Sequence, residues 1–345
     1  MIDKSRRQIA TWLLSGCFLV FLMVWIGGIT RLTGSGLSIT EWKPIMGAIP
    51  PLNERDWNEA FSKYQQIPQF QQVNSTFTLS EFKSIFWWEY IHRLVGRLIG
   101  VVFIVPFLFF YFRKQLDDVL VRKVMFLFLL GGIQGFLGWF MVKSGLSDRT
   151  SVSHYRLAIH LLAAFTTFGF TFWFALELLS APNLNQSRTN DIWRKRSTFL
   201  FALIFLQITY GAFVAGLHAG KMYNTFPLMD GQIIPSGILS LSPTWINLFD
   251  NPVCVQFIHR LFAFIIFFYT FFLAWKSRNE LTDAVQKKSV SYLFLAVMLQ
   301  VVLGIITIIS SAQIAIASIH QLGAFLLFAA SVFAMFRFRK NRSVQ

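Results

Sequence analysis

Eight apolar blocks, each about 20 residues long, constrain this chain more than anything else in it, because a helix of that length crosses a ~30 Å hydrocarbon layer. They run over Ile9–Thr30, Trp87–Phe112, Val121–Val142, Val152–Leu178, Ser197–Leu217, Val253–Trp275, Ser289–Ser310 and Ala312–Phe336. Composition agrees: of 345 residues, 55% are hydrophobic and 14% charged, with 40 Phe and 11 Trp, which excludes a water-soluble domain of this length. Lys4, Arg6 and Arg7 precede the first block as they would a signal peptide. That block is longer than a signal-peptide core, however, and no small-x-small cleavage site follows, so it reads as a retained span.

A net charge of +15 would suggest nucleic acid in a soluble protein, but in a membrane protein Lys and Arg gather in cytoplasmic loops. With the N-terminus inside, the inner segments hold Lys4, Arg6 and Arg7; Arg113, Lys114, Arg122 and Lys123; Arg188, Arg194, Lys195 and Arg196; Lys276, Arg278, Lys287 and Lys288; and Arg337, Arg339, Lys340 and Arg342. The outer loops hold only Arg31, Lys43, Arg55, Lys63, Lys83, Lys143, Arg149 and Lys221. Both termini are therefore expected on the cytoplasmic side. Lipid is the expected surrounding partner, and no nucleic-acid partner is expected.

The outer segment from Arg31 to Phe86 is long and carries Pro50, Pro51 and Pro68, then a capping box, Thr78-Leu-Ser-Glu81. Trp57, Phe61 and Tyr64 have i, i+4, i+7 spacing and predict a short amphipathic helix lying at the interface. It would be either a lid over an outward-opening pocket or an interfacial anchor. The two cysteines, Cys17 and Cys254, lie in different spans and read as structural thiols.

An internal repeat organises the spans. Glu89-Tyr-Ile-His92-Arg93-Leu94 in the second matches Gln256-Phe-Ile-His259-Arg260-Leu261 in the sixth. Gln134-Gly-Phe-Leu-Gly138 in the third matches Gln300-Val-Val-Leu-Gly304 in the seventh, and His160-Leu-Leu-Ala-Ala-Phe165 matches His320-Gln-Leu-Gly-Ala-Phe325. Gly27 and Gly36, followed by Lys43-Pro-Ile-Met, likewise match Gly211 and Gly220, followed by Phe226-Pro-Leu-Met. The expected fold is an all-α polytopic membrane protein whose eight transmembrane helices form two pseudo-symmetric four-helix bundles. Residues 1–180 make an N-terminal half that includes the long outer loop 31–86, and residues 181–345 make a C-terminal half.

Four of the six histidines, His92, His160, His259 and His320, fall in the even-numbered spans, one to two turns from the outer end, giving each half one matched pair. A single intramembrane His more often makes a helix-to-helix hydrogen bond, but two matched pairs point to function. Proton relays mix His with several carboxylates, and zinc prefers three or four ligands. Two imidazoles across a Phe-rich bundle suit axial ligation of haem iron, with another metal or a relay as the alternatives. His154 and His218, at outer span ends, read as exposed or interfacial.

Arg93 and Arg260 follow their histidines, and Arg97 lies one turn beyond Arg93 on the same face. Such guanidinium groups either bind haem propionates or snorkel to headgroups. Glu89, three residues before His92, is the asymmetric feature, since Gln256 replaces it in the second half. A carboxylate in an apolar pocket could exchange protons, which an amide cannot. Reaction is therefore expected in the first half and a permanently bound, electron-transferring haem in the second. The plainer reading of Glu89 is that it orients His92 or pairs with Arg93.

Three stretches carry a resemblance: Gly28-Ile-Thr-Arg-Leu-Thr-Gly-Ser-Gly-Leu-Ser-Ile-Thr-Glu-Trp-Lys-Pro44, Phe86-Trp-Trp-Glu-Tyr-Ile-His-Arg-Leu-Val-Gly-Arg97 and Tyr223-Asn-Thr-Phe-Pro-Leu-Met229. Over nearly the whole chain it resembles the haem A synthase family, in its proteobacterial and mitochondrial branch. The resemblance implies oxidation of a methyl substituent of haem O to the formyl group of haem A, for terminal oxidases. It implies that His259 and His320 ligate a cofactor haem b, that His92 and His160 flank the substrate haem, and that Glu89 is the catalytic carboxylate. Haem O synthase becomes a candidate partner. Some relatives have a Cys pair in the first outer loop; none lies between Arg31 and Phe86, so thiol-linked electron delivery there is not expected. His154 and His218 also depart from the family pattern. The competing expectations are a non-enzymatic dihaem b-type membrane cytochrome and a transporter built on the repeat.

Overall fold

The computed structural model describes residues 4–42, 46–147, 149–180 and 191–339. Lys43 with its Pro-Ile neighbours, Arg188, Lys340 and Arg342 lie outside the described residues. Among those described the fold is helical, with no strand. Eight helices are long and apolar enough to cross a membrane: α1 (Lys4–Leu32), α4 (Leu79–Phe112), α5 (Asp118–Leu146), α6 (His154–Leu179), α7 (Asp191–Gly216), α9 (Pro252–Glu280), α10 (Ala284–Ile309) and α11 (Ile314–Arg337). Short helices α2 (Glu54–Tyr64), α3 (Pro68–Gln72) and α8 (Asn247–Asp250) lie in the connections. Large apolar side chains such as Leu129, Phe268, Tyr292 and Leu326 face outward, as lipid permits and water does not.

Most of these helices overrun the apolar blocks at their polar ends, where side-chain caps extend them. Asp117 accepts from Leu120 N, Asn251 from Val253 N and Asp283 from Gln286 N. The largest overrun is α4, which starts at Leu79, eight residues before the block at Trp87. Thr78 and Glu81 form the reciprocal capping box there. At 1.5 Å per residue, this 34-residue helix is roughly 50 Å long, well beyond a ~30 Å hydrocarbon layer.

The chain divides into two compact units, one of Ser15–Thr167 and one of Phe168–Gln345 together with Met1–Leu14. In the first, α2 packs on the projecting end of α4. Trp57 meets Phe86 edge-on at 4.9 Å, and Phe61 and Tyr64 both lie 5.2 Å from Phe82. The aromatic face of α2 is thus turned to protein rather than to lipid, burying Trp57 and Tyr64 with Leu37, Ile67 and Ile85. Tyr64 is also tied in by polar contacts, accepting from Asn74 and donating to Gln69, which donates in turn to Gly34 O. Burial pushes the Tyr64 hydroxyl above its ordinary pKa.

In the second unit the core is aromatic along α7, α11 and the end of α6. Phe168 contacts Phe325 edge-on at 4.4 Å, Phe328 lies 5.5 Å from Phe201, and Trp193 stacks on Phe338. The α10–α11 turn is tight, with Ser311 and Ala312 both left-handed, and Asn224 donates to Ile308 O beside it. Cys17 and Cys254 are buried and unbridged, in keeping with structural thiols.

Candidate functional site

Each of the four intramembrane histidines lies against a glycine on the preceding long helix. A Cβ added at Gly27 would stand 3.0 Å from His92 Nε2. At Gly138 it would stand 3.1 Å from His160 Cε1, at Gly211 3.3 Å from His259 Cε1, and at Gly304 3.1 Å from His320 Cε1. No side chain fits those four positions without moving an imidazole. The glycines are the ones that repeat between the halves, and the structure supplies their purpose.

His92 and His160 belong to one unit, His259 and His320 to the other, and the members of each pair are close enough to interact electrostatically. Among the described residues no group of three or more His, Cys, Asp or Glu side chains could hold a metal ion. Two imidazoles per unit would be too few to complete a metal's coordination by themselves and would suit a metal that arrives within its own ligand.

Three of the histidines are gripped by a glutamine four residues before their glycine. Gln134 Nε2 donates to His160 O at 3.1 Å and lies 3.3 Å from His160 Nδ1. Gln300 Nε2 donates to His320 O at 2.9 Å and lies 3.1 Å from His320 Nδ1. Gln207 Nε2 donates to His259 O at 3.0 Å and lies 3.4 Å from His259 Nε2. These glutamines are candidate site residues that pattern reading missed. Gln134 and Gln300 stood in the matched motifs, but which helices pair across the bundle is a tertiary fact.

Glu89 is 3% exposed and surrounded by donors. Ser38 Oγ donates to its Oε2 at 2.8 Å and Ile39 N at 2.9 Å, while Arg93 Nη2 and Nε donate to Oε1 at 2.7 and 3.1 Å. The pairing with Arg93 that the plainer reading foresaw is present. Arg93 also donates to Ile39 O and Glu41 O and lies over the Trp42 ring. The α4 helix and the start of the outer segment are thereby locked together around one carboxylate. Arg97, one turn further on, is half-buried and within the field of Arg93.

The second unit repeats the scaffold without the charge. Arg260 donates to Tyr223 O at 2.7 Å and Thr225 O at 2.9 Å, the counterparts of the Ile39 and Glu41 carbonyls. Gln256 Nε2 donates to Tyr223 O, while its Oε1 and Arg260 Nε are buried without partners. Where the first unit has a buried ion pair, the second has an amide and a guanidinium that meet only through the Tyr223 carbonyl they share.

The remaining histidines stand apart from these pairs. His154 begins α6 and is buried rather than exposed, its ring 4.0 Å from that of Tyr155. His218 occupies a left-handed turn after α7, its carbonyl accepting from Lys221 N.

Residues 10–332 match the family model COX15-CtaA, described as cytochrome oxidase assembly protein. A haem A synthase of Nitrosomonas eutropha is 47% identical over 95% of this chain and 93% of its own length. One from Parvibaculum lavamentivorans is 46% identical over 98% and 96%, and one from Flavobacterium psychrophilum 44% identical over 98% and 100%.

Proposed function

The chain belongs to the COX15-CtaA family of cytochrome oxidase assembly proteins, and on that premise we propose that it is a haem A synthase. It is an integral membrane oxidoreductase that converts a methyl group of haem O to the formyl group of haem A. The substrate lies in the N-terminal half, residues 1–180, between His92 and His160. A haem b lies in the C-terminal half, residues 181–345, between His259 and His320. Haem O synthase is the natural donor of substrate, and both termini face the cytoplasm across the inner membrane, as the basic loops indicate.

The observation that carries this reading is the contrast between two sites on one scaffold. Four glycine-backed imidazoles in two pairs, with no cluster of three or more His, Cys, Asp or Glu among the described residues, suit two haems. Only the first has a carboxylate, one helical turn from its histidine. Haem b, when bound, supplies one-electron chemistry. The protein's own residues do the rest.

Oxidation in successive two-electron steps withdraws charge from the methyl carbon, and a fixed carboxylate beside it favours that change. Arg93 and Ile39 N hold Glu89 in place. Ser38 is the partner that can reverse its role, because a hydroxyl donates to a carboxylate and accepts from a carboxylic acid. A proton taken up by Glu89 thus keeps a hydrogen-bonded path toward the outer segment. Arg93, Arg97 and Arg260 keep the outer rim of each site basic, which favours the propionates of the two haems.

Glu89→Gln keeps shape and hydrogen bonding and removes the acid. We expect extracts of cells expressing it to retain the b-type spectrum of the purified protein and to contain no haem A above background. Haem A at wild-type yield would overturn the role of Glu89.

A further inference from the structure

The three glutamines that grip His160, His259 and His320 have no counterpart at His92. The equivalent position, four residues before Gly27, is Met23, whose thioether offers no N–H. The substitution is accommodated locally. One turn after the other histidines stand Ala164, Ala263 and Ala324, whereas one turn after His92 stands Gly96, where an added Cβ would lie 3.2 Å from Met23 Cε. The ring of His92 also sits differently, presenting Nε2 to its glycine where the other three present Cε1.

We infer that the glutamines are positioning residues that latch a haem-ligating histidine in place, and that the unlatched His92 is the ligand that releases so that substrate and product exchange. The inference rests on the two-haem reading above and deepens it. One carboxamide touches both the carbonyl and a ring nitrogen of the same histidine, so it fixes the ring against rotation about both side-chain torsions. The carboxamide oxygens of Gln134, Gln207 and Gln300 are buried without a hydrogen bond. Once iron holds the other nitrogen the facing ring N–H needs an acceptor, and turning the amide about its last torsion would present this oxygen to it, exchanging the bond to the histidine carbonyl for one to the ring. The proposed cofactor pair is latched at both ends, by Gln207 and Gln300. The proposed substrate pair is latched only at His160.

The test is haem transfer from the purified protein to an excess of apomyoglobin, with the low-spin electron paramagnetic resonance spectrum recorded in parallel. Gln207→Met installs the residue found at position 23 and should speed loss of haem b about 10- to 100-fold, with shifted g-values as the imidazole plane loosens. Met23→Gln should slow release of haem O at least about tenfold and leave haem b unchanged. Met23→Leu, of similar size and without an N–H, should release haem O like wild type. Transfer rates within about twofold of wild type in Met23→Gln would overturn the latch, as would equal slowing by Met23→Leu. If Gln207→Met does not fold, the two Met23 variants decide the matter alone. A wild-type protein carrying no haem would instead overturn the two-haem reading, and the latch with it.

Discussion

At the scale of single residues, the account turns on how little room the imidazoles have. A Cβ at Gly304 would stand 3.1 Å from His320, and one at Gly138 would stand 3.1 Å from His160. Overpacking of this kind costs about 1–3 kcal/mol, and here the strain falls on a proposed haem ligand. Gly304→Val should therefore abolish the low-spin b-type absorption of the purified protein, while Gly138→Val should leave it and weaken haem O binding instead. An unchanged b-type spectrum in Gly304→Val would contradict the cradle. The histidines and Glu89 were legible in the sequence because ionisable groups stand out in apolar spans. Ser38 and the Ile39 amide were not singled out: a backbone N–H has no sequence signature, and a serine in an outer segment looks like any other. The glutamine grip was hidden because it joins helices, whereas the repeat reports only what lies along each one.

For the elements, the informative case is α2 against α4. The spacing of Trp57, Phe61 and Tyr64 showed that one face is apolar but not what covers it, and the structure covers it with Phe82, Ile85 and Phe86. Those residues became available because the capping box starts α4 ahead of its apolar block. The box marks the helix start, but Glu81 and Lys83 break the apolar run, so hydrophobicity alone begins the span several residues later. Trp57 is buried on Phe86 and Phe82, so Trp57→Ala should remove about 3–5 kcal/mol of local packing and free the segment around α2. Limited proteolysis of the purified protein should then cut between α2 and α4, and wild-type resistance would contradict this packing. Because the outer segment also holds Glu89 through Ser38 and Ile39, the same variant should lose haem A formation in part.

Across the whole molecule, eight spans, their order and the matched motifs were all readable, because hydrocarbon imposes a length and a composition that water-facing folds do not. Each histidine meets a glycine on the preceding long helix, which is the repeat expressed as packing, with His92 alone turning Nε2 rather than Cε1 toward it. What the repeat could not announce is where the units differ in contact. The first unit has a buried Glu89–Arg93 pair and an ungripped His92, while the second has Gln256, an Arg260 bonded to backbone carbonyls rather than to a carboxylate, and two gripped histidines. In the proposed reading, both differences put exchange and reaction at the first site and a permanent haem at the second. The central claim is that this asymmetry makes a haem-modifying enzyme rather than a dihaem electron carrier or a transporter. The most direct test is to extract pigments from a host that supplies haem O, with and without this protein, and separate them by chromatography. The account predicts a formyl haem, haem A, only when the protein is present; unmodified haem O in both extracts, with the protein folded in the membrane, would contradict it.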